Sequence, residues 1–318
     1  MPRILPVVLA TVVLFAEPRP LVAQRNAEVS RHLNEIIAVL REDWLFRDTA
    51  DWNELQASLL ERARSAGTVE EATPAIRDLL EQLGDRHTWY RTPEGEMFFN
   101  PRSPTQVTGE CTPEPFSTPP VPPGIGYIRI QITPQTPPSV IHASLRNGQN
   151  EGVKRWIVDL RNSRGGNMWP ALLGLGPLLG DGVAGYFVGP EGSLPWGYRQ
   201  GRVWLASDTI LVTDDPLIGS MEDAAIAVLT DIGVASSGEA IAVALRGRRN
   251  TRSFGTGTCG LSTAVRGIPL SNGAILGVVS GVMADRHGNE YGRRVLPDEV
   301  VTSPEAAFHA AVAWLLRQ

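Results

Sequence analysis

A serine at the start of a predicted helix is the first candidate for chemistry. An apolar strand is predicted over 225–229, a short turn follows it, and Ser236 and Ser237 open a helix that is predicted to end at Leu245. A serine there has its hydroxyl at the positive end of the helix dipole, and the Ser237 amide points at any oxyanion that forms. Ser236 and Glu239 also match a capping box, which needs no chemistry, and the local pattern alone favours the cap.

A second turn between a strand and a helix contains two glycines. The strand is predicted over 155–160, Gly165 and Gly166 follow it, and a helix is predicted over 171–179. Glycines let the backbone approach a ligand and direct its amides at an anion. Their spacing fits neither the dinucleotide nor the phosphate-loop pattern, so no nucleotide site is expected. A plain tight turn is the alternative interpretation.

A histidine follows the end of the first helical segment, which is predicted over 27–84. It lies in the run Asp85-Arg86-His87-Thr88. Histidine titrates near neutral pH and can act as a general base. A solvated turn residue is the alternative at such a position.

The elements that must position these residues form two parts joined by a connector. The helical segment has capping boxes at Asp51 with Glu54 and at Thr68 with Glu71. Residues 101–123 contain eight prolines and are predicted to be an extended connector. From Gly124 onward strands and helices alternate, which indicates an α/β body. Its other predicted elements are a strand over 126–132, β-rich stretches over 253–266 and 275–283, and helices over 140–147 and 304–316.

The composition excludes several classes of protein. The chain has 318 residues, of which 42% are hydrophobic and 20% charged, so disordered, collagen-like and multi-span membrane proteins are excluded. A net charge of -5 argues against a nucleic-acid partner. Two cysteines and five scattered histidines show no zinc spacing, so neither a metal nor a cofactor is expected. Lys154 is the single lysine, so any lysine-dependent mechanism has one candidate.

The N-terminus indicates a secretory signal. A basic start precedes an apolar run from Ile4 to Phe15, which is too short to span a bilayer, and cleavage is predicted after Ala23. An uncleaved anchor is the alternative, and both interpretations place the body in a secreted or periplasmic location. Cys111 and Cys259 form either one disulfide or two free thiols.

The order of the three motifs resembles the tail-specific or C-terminal processing serine peptidases, in particular the tricorn-core-like branch. The resemblance covers most of residues 75–318, and that broad family includes retinoid-binding repeats. The matching motifs are His87-Thr88, Asp159-Leu160-Arg161 with Gly165-Gly166, Ser236-x-Gly238-Glu239, Gly126-Tyr127-Ile128-Arg129-Ile130, Phe254-Gly255-x-x-Thr258-x-Gly260, and Asp285-x-x-Gly288-x-Glu290 before Pro297-Asp298.

This resemblance implies an α/β fold similar to the Clp protease and crotonase spiral of strands and helices. It places Ser236 at the nucleophile position and makes the amides of Ser237, Gly166 or its neighbour Gly165 the oxyanion hole. Removing one such donor typically costs about 3 kcal/mol of transition-state stabilisation.

The chain departs from the family pattern at the expected base. Many members have a lysine directly after Gly-x-x-Thr-x-Gly, but here that residue is Leu261, so a serine-lysine dyad is excluded. His87 then becomes the expected general base. Glu290 matches the family's acidic position and is the expected orienting acceptor, although a solvated turn residue is an equal alternative. Glu239, one helical turn from Ser236, is the rival.

Four segments are expected. They are a signal peptide (1–23), an N-terminal helical subdomain (24–100), the connector (101–123) and a serine peptidase catalytic domain (124–318). No PDZ domain fits in the 36 residues between His87 and Gly124. We expect a secreted peptidase that acts on polypeptides through an acyl-enzyme on Ser236, without stable membrane insertion of the mature chain. A non-catalytic retinoid-binding-like module and a serine esterase are the alternatives, and the oligomeric state is left open.

Overall fold

The computed structural model describes residues 22–100, 110–217 and 221–318. The predicted signal segment falls largely on residues 1–21, which lie outside the described residues, as do residues 101–109 of the connector. No helix in the described ranges has the length and apolar character that a membrane crossing requires.

Helices cover the first part of the described chain and flank the sheets of the body. They are α1 (Val22–Asp43), α2 (Trp52–Arg62), α3 (Thr73–Leu83), α4 (Pro138–Asn150), α5 (Trp169–Leu179), α6 (Ser237–Leu245) and α7 (Pro304–Leu315), with a 3-10 turn over Arg47–Thr49. The Asp51 side chain caps α2 by accepting from the N–H groups of Asn53 and Glu54, as predicted. The prediction that a helix opens at Thr68 was wrong. The Thr68 hydroxyl accepts from the Glu71 N–H at 3.3 Å, but it closes a turn, and α3 begins at Thr73.

The strands form two sheets. They are β1 (Trp89–Arg91), β2 (Met97–Phe99), β3 (Gly126–Arg129), β4 (Arg155–Asp159), β5 (Gly182–Gly189), β6 (Gly192–Arg199), β7 (Arg202–Leu205), β8 (Asp208–Val212), β9 (Ala225–Thr230), β10 (Thr251–Gly255), β11 (Thr263–Pro269), β12 (Ile275–Asp285) and β13 (Glu299–Val300). One sheet has the order β2-β1-β12-β5-β6-β7-β8 with β11 also paired to β12, and the other has the order β13-β10-β9-β4-β3.

The five-stranded sheet is parallel and brings two of the predicted motifs together. Strands β4 and β9 are neighbours, with Asp159 opposite Leu229. All six residues of β9 are buried, as an apolar strand covered on both faces should be. Neighbouring parallel strands have their carboxyl ends on the same side of the sheet. The loops that follow β4 and β9, which carry Gly165 and Ser236, therefore meet there. The predicted α/β body is confirmed.

The eight-stranded sheet contains six strands that the sequence motifs did not predict: the short strands β1 and β2 and the four strands β5 to β8. Strands β5 to β8 form successive antiparallel hairpins over residues 182–212. The turn between β6 and β7 is the pair Gln200-Gly201, both with positive φ, and Gly192 is the first residue of β6 after the turn from β5. Turn residues between alternating apolar runs were the signal that could have predicted these hairpins.

The helical part packs against the long strand β12. Leu33, Ile36, Ile76 and Leu79 share one buried core with Leu276, Val278 and Val279 of that strand. Strands β1 and β2, which follow the helices, pair with β12 through β1. This packing places residues 84–88 against the α/β body, although they precede it by more than 30 residues in the chain.

The described part of the proline-rich connector is attached to the body along its length. Cys111 forms a disulfide with Cys259 across a Cα–Cα distance of 5.4 Å, which decides between the two interpretations of the cysteines. Glu110 forms an ion pair with Arg86. Further along, the Arg161 guanidinium stacks over the Phe116 ring, with its carbon 3.9 Å from the ring centroid.

Removing the disulfide should destabilise the fold substantially. It joins residues separated by 148 positions, and a closed loop of that length restricts the unfolded chain strongly. Replacing Cys111 and Cys259 together by serine is expected to lower the free energy of unfolding by about 3–5 kcal/mol in urea titrations. The wild type in excess reductant should approach the same value. A loss below about 1 kcal/mol would contradict the prediction.

Candidate active site

The turn that carries Ser236 joins β9 to α6 in an unusual backbone conformation. Ser236 has φ 51° and ψ −114°, a region that costs a residue other than glycine about 1–3 kcal/mol. The Ala235 N–H donates to the Ser163 carbonyl at 3.1 Å and so ties this turn to the glycine loop. A Cβ atom at Gly238 would lie 2.0 Å from the same carbonyl oxygen, so the close approach of the two loops requires glycine there.

The segment that carries His87 is held by one carboxylate. Gly84 ends α3 with φ 75°, and the Asp85 side chain then organises the next residues. Its Oδ1 accepts from the N–H groups of His87 at 2.8 Å and Thr88 at 2.7 Å. Its Oδ2 accepts from the Thr88 hydroxyl and from Trp44 Nε1, both at 2.7 Å. Asp85 therefore ties the backbone around His87 to Trp44, the residue directly after α1.

His87 lies between two hydroxyl groups. Its Nε2 is 2.9 Å from Ser236 Oγ, across 149 positions of sequence, and its Nδ1 is 2.7 Å from Thr263 Oγ1. Thr263 is the first residue of β11 and pairs with Val282 of β12. For Nε2 to accept the Ser236 proton, the ring hydrogen must be on Nδ1, which then donates to Thr263. The arrangement can thus activate a serine for nucleophilic attack.

Burial keeps the imidazole neutral. It lowers the pKa of His87 to about 4, against the opposing influence of the Asp85 carboxylate. A neutral ring at pH 7 is the form that can take a proton from a serine.

The glycine turn approaches the Ser236 side chain closely. A Cβ atom at Gly165 would lie 3.0 Å from Ser236 Cβ and 3.3 Å from its Oγ. The Gly165 carbonyl accepts from the Thr133 hydroxyl at 2.8 Å. The Gly166 N–H belongs to the same planar trans peptide and points in the opposite direction, away from Thr133. The Gly166 carbonyl accepts from Ser237 Oγ at 2.6 Å. As the first residue of α6, Ser237 also has an amide without an acceptor inside the helix.

A buried network behind the glycine turn fixes its start. Arg161 and Asp159 are both fully buried and form an ion pair at 2.6 Å. Asp231, directly after β9, accepts from the N–H groups of Asn162 and Gly233, both at 2.9 Å. The network therefore links the turn after β4 to the turn after β9.

Glu239 supports the Ser236 turn from inside the protein. Its side chain is fully buried, and Oε2 accepts from the N–H groups of Ser236 at 2.8 Å and Leu261 at 2.7 Å. Oε1 accepts from the Gly260 N–H at 2.9 Å and from the Thr258 hydroxyl. Burial raises the pKa of Glu239 to about 7, although these four hydrogen bonds act in the opposite direction. This carboxylate thus joins the Ser236 turn to the loop that leads into Thr263.

The α/β body of the chain matches the model of one protein family. The model of peptidase family S41 matches residues 124–301, which is more than half of the sequence. The chain belongs to peptidase family S41. The predicted resemblance to C-terminal processing peptidases is therefore confirmed.

Two curated proteins are similar to this S41 chain. The nisin-resistance protein of Lactococcus lactis subsp. lactis is 27% identical over 285 residues, covering 86% of this chain and 83% of the relative. The carboxyl-terminal-processing protease of Synechocystis is 28% identical over 196 residues, covering 58% of this chain but only 39% of the relative.

Solved structures share the S41 fold. A lipoprotein from Streptococcus agalactiae matches with a TM-score of 0.64 at 21% identity, over 91% of this chain and 96% of the other. The photosystem II D1 C-terminal processing protease matches with a TM-score of 0.58 at 16% identity, over 90% and 97%. The predicted fold class is confirmed by these matches.

The structure brings most of the predicted site residues together around Ser236, but Glu290 has other contacts. His87 and Ser236 are in contact, with Gly165 and Ser237 beside them. Glu290 is exposed and forms a bridge with Ala284 at the end of β12, while the hydrogen bond of His87 Nδ1 is to Thr263. In this geometry a hydroxyl occupies the place expected for the Glu290 carboxylate.

Thr263 was missed because the motif analysis looked for a carboxylate. It follows the Gly-x-x-Thr-x-Gly motif by three positions, near the end of the stretch 253–266 that was predicted as β-rich. Glu239, the rival orienting residue, binds the Ser236 turn and the neighbouring loop.

The position of the single lysine agrees with the exclusion of a dyad. Lys154 is exposed just before β4, and its carbonyl accepts from the N–H of Ala225, the first residue of β9. Ser236 follows the opposite end of β9. Leu261, at the family's lysine position, is buried beside the disulfide. Among the described residues no group of three or more histidine, cysteine, aspartate or glutamate side chains could hold a metal ion.

Proposed function

We propose that this chain is a secreted serine peptidase that hydrolyses peptide bonds through an acyl-enzyme on Ser236, with His87 as the general base. The observation that carries the proposal is the 2.9 Å distance between His87 Nε2 and Ser236 Oγ. The peptidase family of the chain supports a polypeptide substrate.

In the proposed reaction Ser236 Oγ attacks the substrate carbonyl carbon while its proton moves to His87 Nε2. The carbonyl oxygen becomes an oxyanion, which the amides of Ser237 and of Gly166 or Gly165 stabilise. The Nδ1–H donates to Thr263 Oγ1 and keeps the ring oriented while it is charged. Nε2 then gives the proton to the leaving amine. Water, activated by the same nitrogen, hydrolyses the ester and restores Ser236.

The test compares wild type with Ser236→Ala on a reduced, denatured protein, without added metal. Nisin is included because one relative is named for resistance to it. Wild type should cleave and should also be labelled at Ser236 by a fluorophosphonate, and the variant should do neither. Equal cleavage by both proteins would reject Ser236 as the nucleophile.

Two other outcomes select the alternatives. Hydrolysis of small esters without cleavage of any polypeptide would indicate an esterase, because a serine-histidine site accepts both bond types. A wild-type protein that neither cleaves nor reacts with the fluorophosphonate would indicate a binding module.

Replacing Thr263 should test the orientation of the base. Thr263→Val keeps the side-chain shape but removes the acceptor for the His87 Nδ1–H. We expect kcat/KM to fall by about 10- to 100-fold, since a buried donor left unpaired costs about 1–3 kcal/mol. Thr263→Ser should retain most of the activity. Equal activity in Thr263→Val and wild type would show that the contact does not orient the ring.

Because the pKa of His87 is low, the enzyme should remain active at acidic pH. A histidine with its usual value would lose activity below about pH 6.5, because protonation removes the base. With the pKa of His87 lowered to about 4, the acid limb of kcat/KM should have its midpoint near that value. The pH profile with a small ester or peptide substrate measures it directly, provided that the fold is shown by circular dichroism to persist. A midpoint near 6.5 would contradict the prediction.

The proposal also includes the cellular location of the protein and the boundaries of its segments. A disulfide between Cys111 and Cys259 supports an oxidising environment, which agrees with a secreted or periplasmic location. We assign 1–23 to a signal peptide, 24–100 to a helical subdomain and 124–318 to the catalytic domain. N-terminal sequencing of the exported protein tests the cleavage site after Ala23.

A further inference from the structure

An open apolar groove lies beside the loop that holds the two oxyanion glycines. Its cavity has a volume of about 460 Å³. Its lining includes Pro137, Pro138 and Ser139 around the start of α4, Pro170 of α5, and Val212 and Asp214 at and just after the end of β8.

The groove and the proposed active site share one supporting segment of chain. Gln135 Nε2 donates to the carbonyl of Asn167, the residue after Gly166, at 2.8 Å. Thr133, two positions before Gln135, donates to the Gly165 carbonyl. The segment that supports the glycine turn therefore also builds one wall of the groove. Because Gln135 contacts the residue directly after Gly166, an extended substrate, which advances about 3.3 Å per residue, needs only a few residues to reach the groove from a carbonyl held at the glycines.

The chemistry of the walls selects an apolar side chain. Three wall residues are prolines, which have no backbone N–H to offer and are already rigid. Val212 is an apolar residue with 48% of its surface exposed, at the end of β8, the edge strand of its sheet. Asp214 is the one charged residue of the lining, and its carboxylate would repel an acidic substrate residue.

We propose that this groove is a specificity subsite for the polypeptide substrate. It takes an apolar side chain two or three residues from the cleaved bond and rejects an acidic one. This inference rests on the proposed function, since it needs a peptide bound at Ser236.

The test maps the bonds that the enzyme cleaves in a denatured protein by mass spectrometry. Wild type should favour apolar and avoid acidic residues at one position within three residues of the cleaved bond. Val212→Asp should abolish this preference and lower kcat/KM about tenfold for a peptide with leucine there, as expected for lost apolar contacts. Ser139→Phe, which changes another residue of the groove lining, should narrow the preference to small residues.

Leu194→Asp is the matched control. Leu194 is an apolar residue of β6 with 52% of its surface exposed, and it is not part of the groove lining. This variant should retain the wild-type cleavage profile. All variants should react with a fluorophosphonate at the wild-type rate, because Ser236 is untouched.

Several outcomes would overturn the subsite. One is a wild-type profile without a preference at any position, and another is the same profile in Val212→Asp and Leu194→Asp. A third is a wild-type dimer that Val212→Asp dissociates without a change of profile, since the groove would then bind a second copy. Failure of the proposed function gives a different result, because wild type would then neither cleave a polypeptide nor react with the fluorophosphonate. That result would also reject the subsite.

Discussion

Replacing His87 by alanine is expected to lower kcat/KM by about four orders of magnitude. The imidazole is the group within 2.9 Å of the Ser236 hydroxyl, and an unactivated serine is a poor nucleophile at neutral pH. Ser236→Ala should lose about as much. The double variant should be no worse than either, because the two side chains act as one unit. Kinetics on one fluorogenic peptide would measure all three variants.

His309→Ala is the control for this series. His309 lies on α7, where its side chain is 62% exposed and 3.7 Å from Glu305, so its loss should leave kcat/KM unchanged. Thermal unfolding of each variant separates loss of chemistry from loss of fold. If His87→Ala retained more than about 1% of the wild-type value with an intact fold, another group would have to be the base.

Replacing Glu239 by alanine should have the largest effect on stability among the single substitutions. The carboxylate accepts hydrogen bonds from Ser236, Thr258, Gly260 and Leu261, and its loss leaves these donors buried without a partner. We expect the free energy of unfolding to fall by about 3–5 kcal/mol. Activity should fall with it, because the strained turn at Ser236 loses its support.

Glu290→Ala is the matched comparison for Glu239. Glu290 is exposed, so the free energy of unfolding should change by less than about 0.5 kcal/mol and kcat/KM should be retained. The pair of variants tests whether Glu239, and not Glu290, supports the active site. A large loss of activity in Glu290→Ala, with Glu239→Ala close to wild type, would contradict this expectation.

The pH dependence of stability provides an independent check on the two buried groups. The pKa of Glu239 is raised from 4.5 to about 7, so the unfolded chain loses this proton first and stability falls as the pH rises through that interval. The pKa of His87 is lowered from 6.5 to about 4, so the unfolded chain binds a proton first and stability rises as the pH rises through that interval. The contributions of Glu239 and His87 to the change of stability with pH therefore have opposite signs where the two pH intervals overlap. Glu239→Gln should therefore reveal a steeper rise of stability with pH between about 4.5 and 6.5.

Local patterns in the sequence were enough to predict the elements that carry the chemistry. Apolar runs bounded by turn residues predicted β4, β9 and α6, because burial on both faces of a parallel sheet demands continuous apolar residues. The serine at the start of α6 and the glycines after β4 follow from the same pattern. The order of these motifs, with a histidine before them and Leu261 in place of a lysine, was sufficient to identify the family and to propose His87 as the base.

The tertiary structure alone decided which groups meet. The Thr263 hydroxyl contacts a histidine 176 positions away because β12 pairs with β11 on one side and with β1, which follows His87, on the other. Glu239 could be recognised as a capping residue from its spacing, but its bonds to Gly260 and Leu261 depend on the return of a distant loop. Sequence spacing reports neighbours along one helix or strand. Contacts between segments depend on sheet order and register, which no short motif contains.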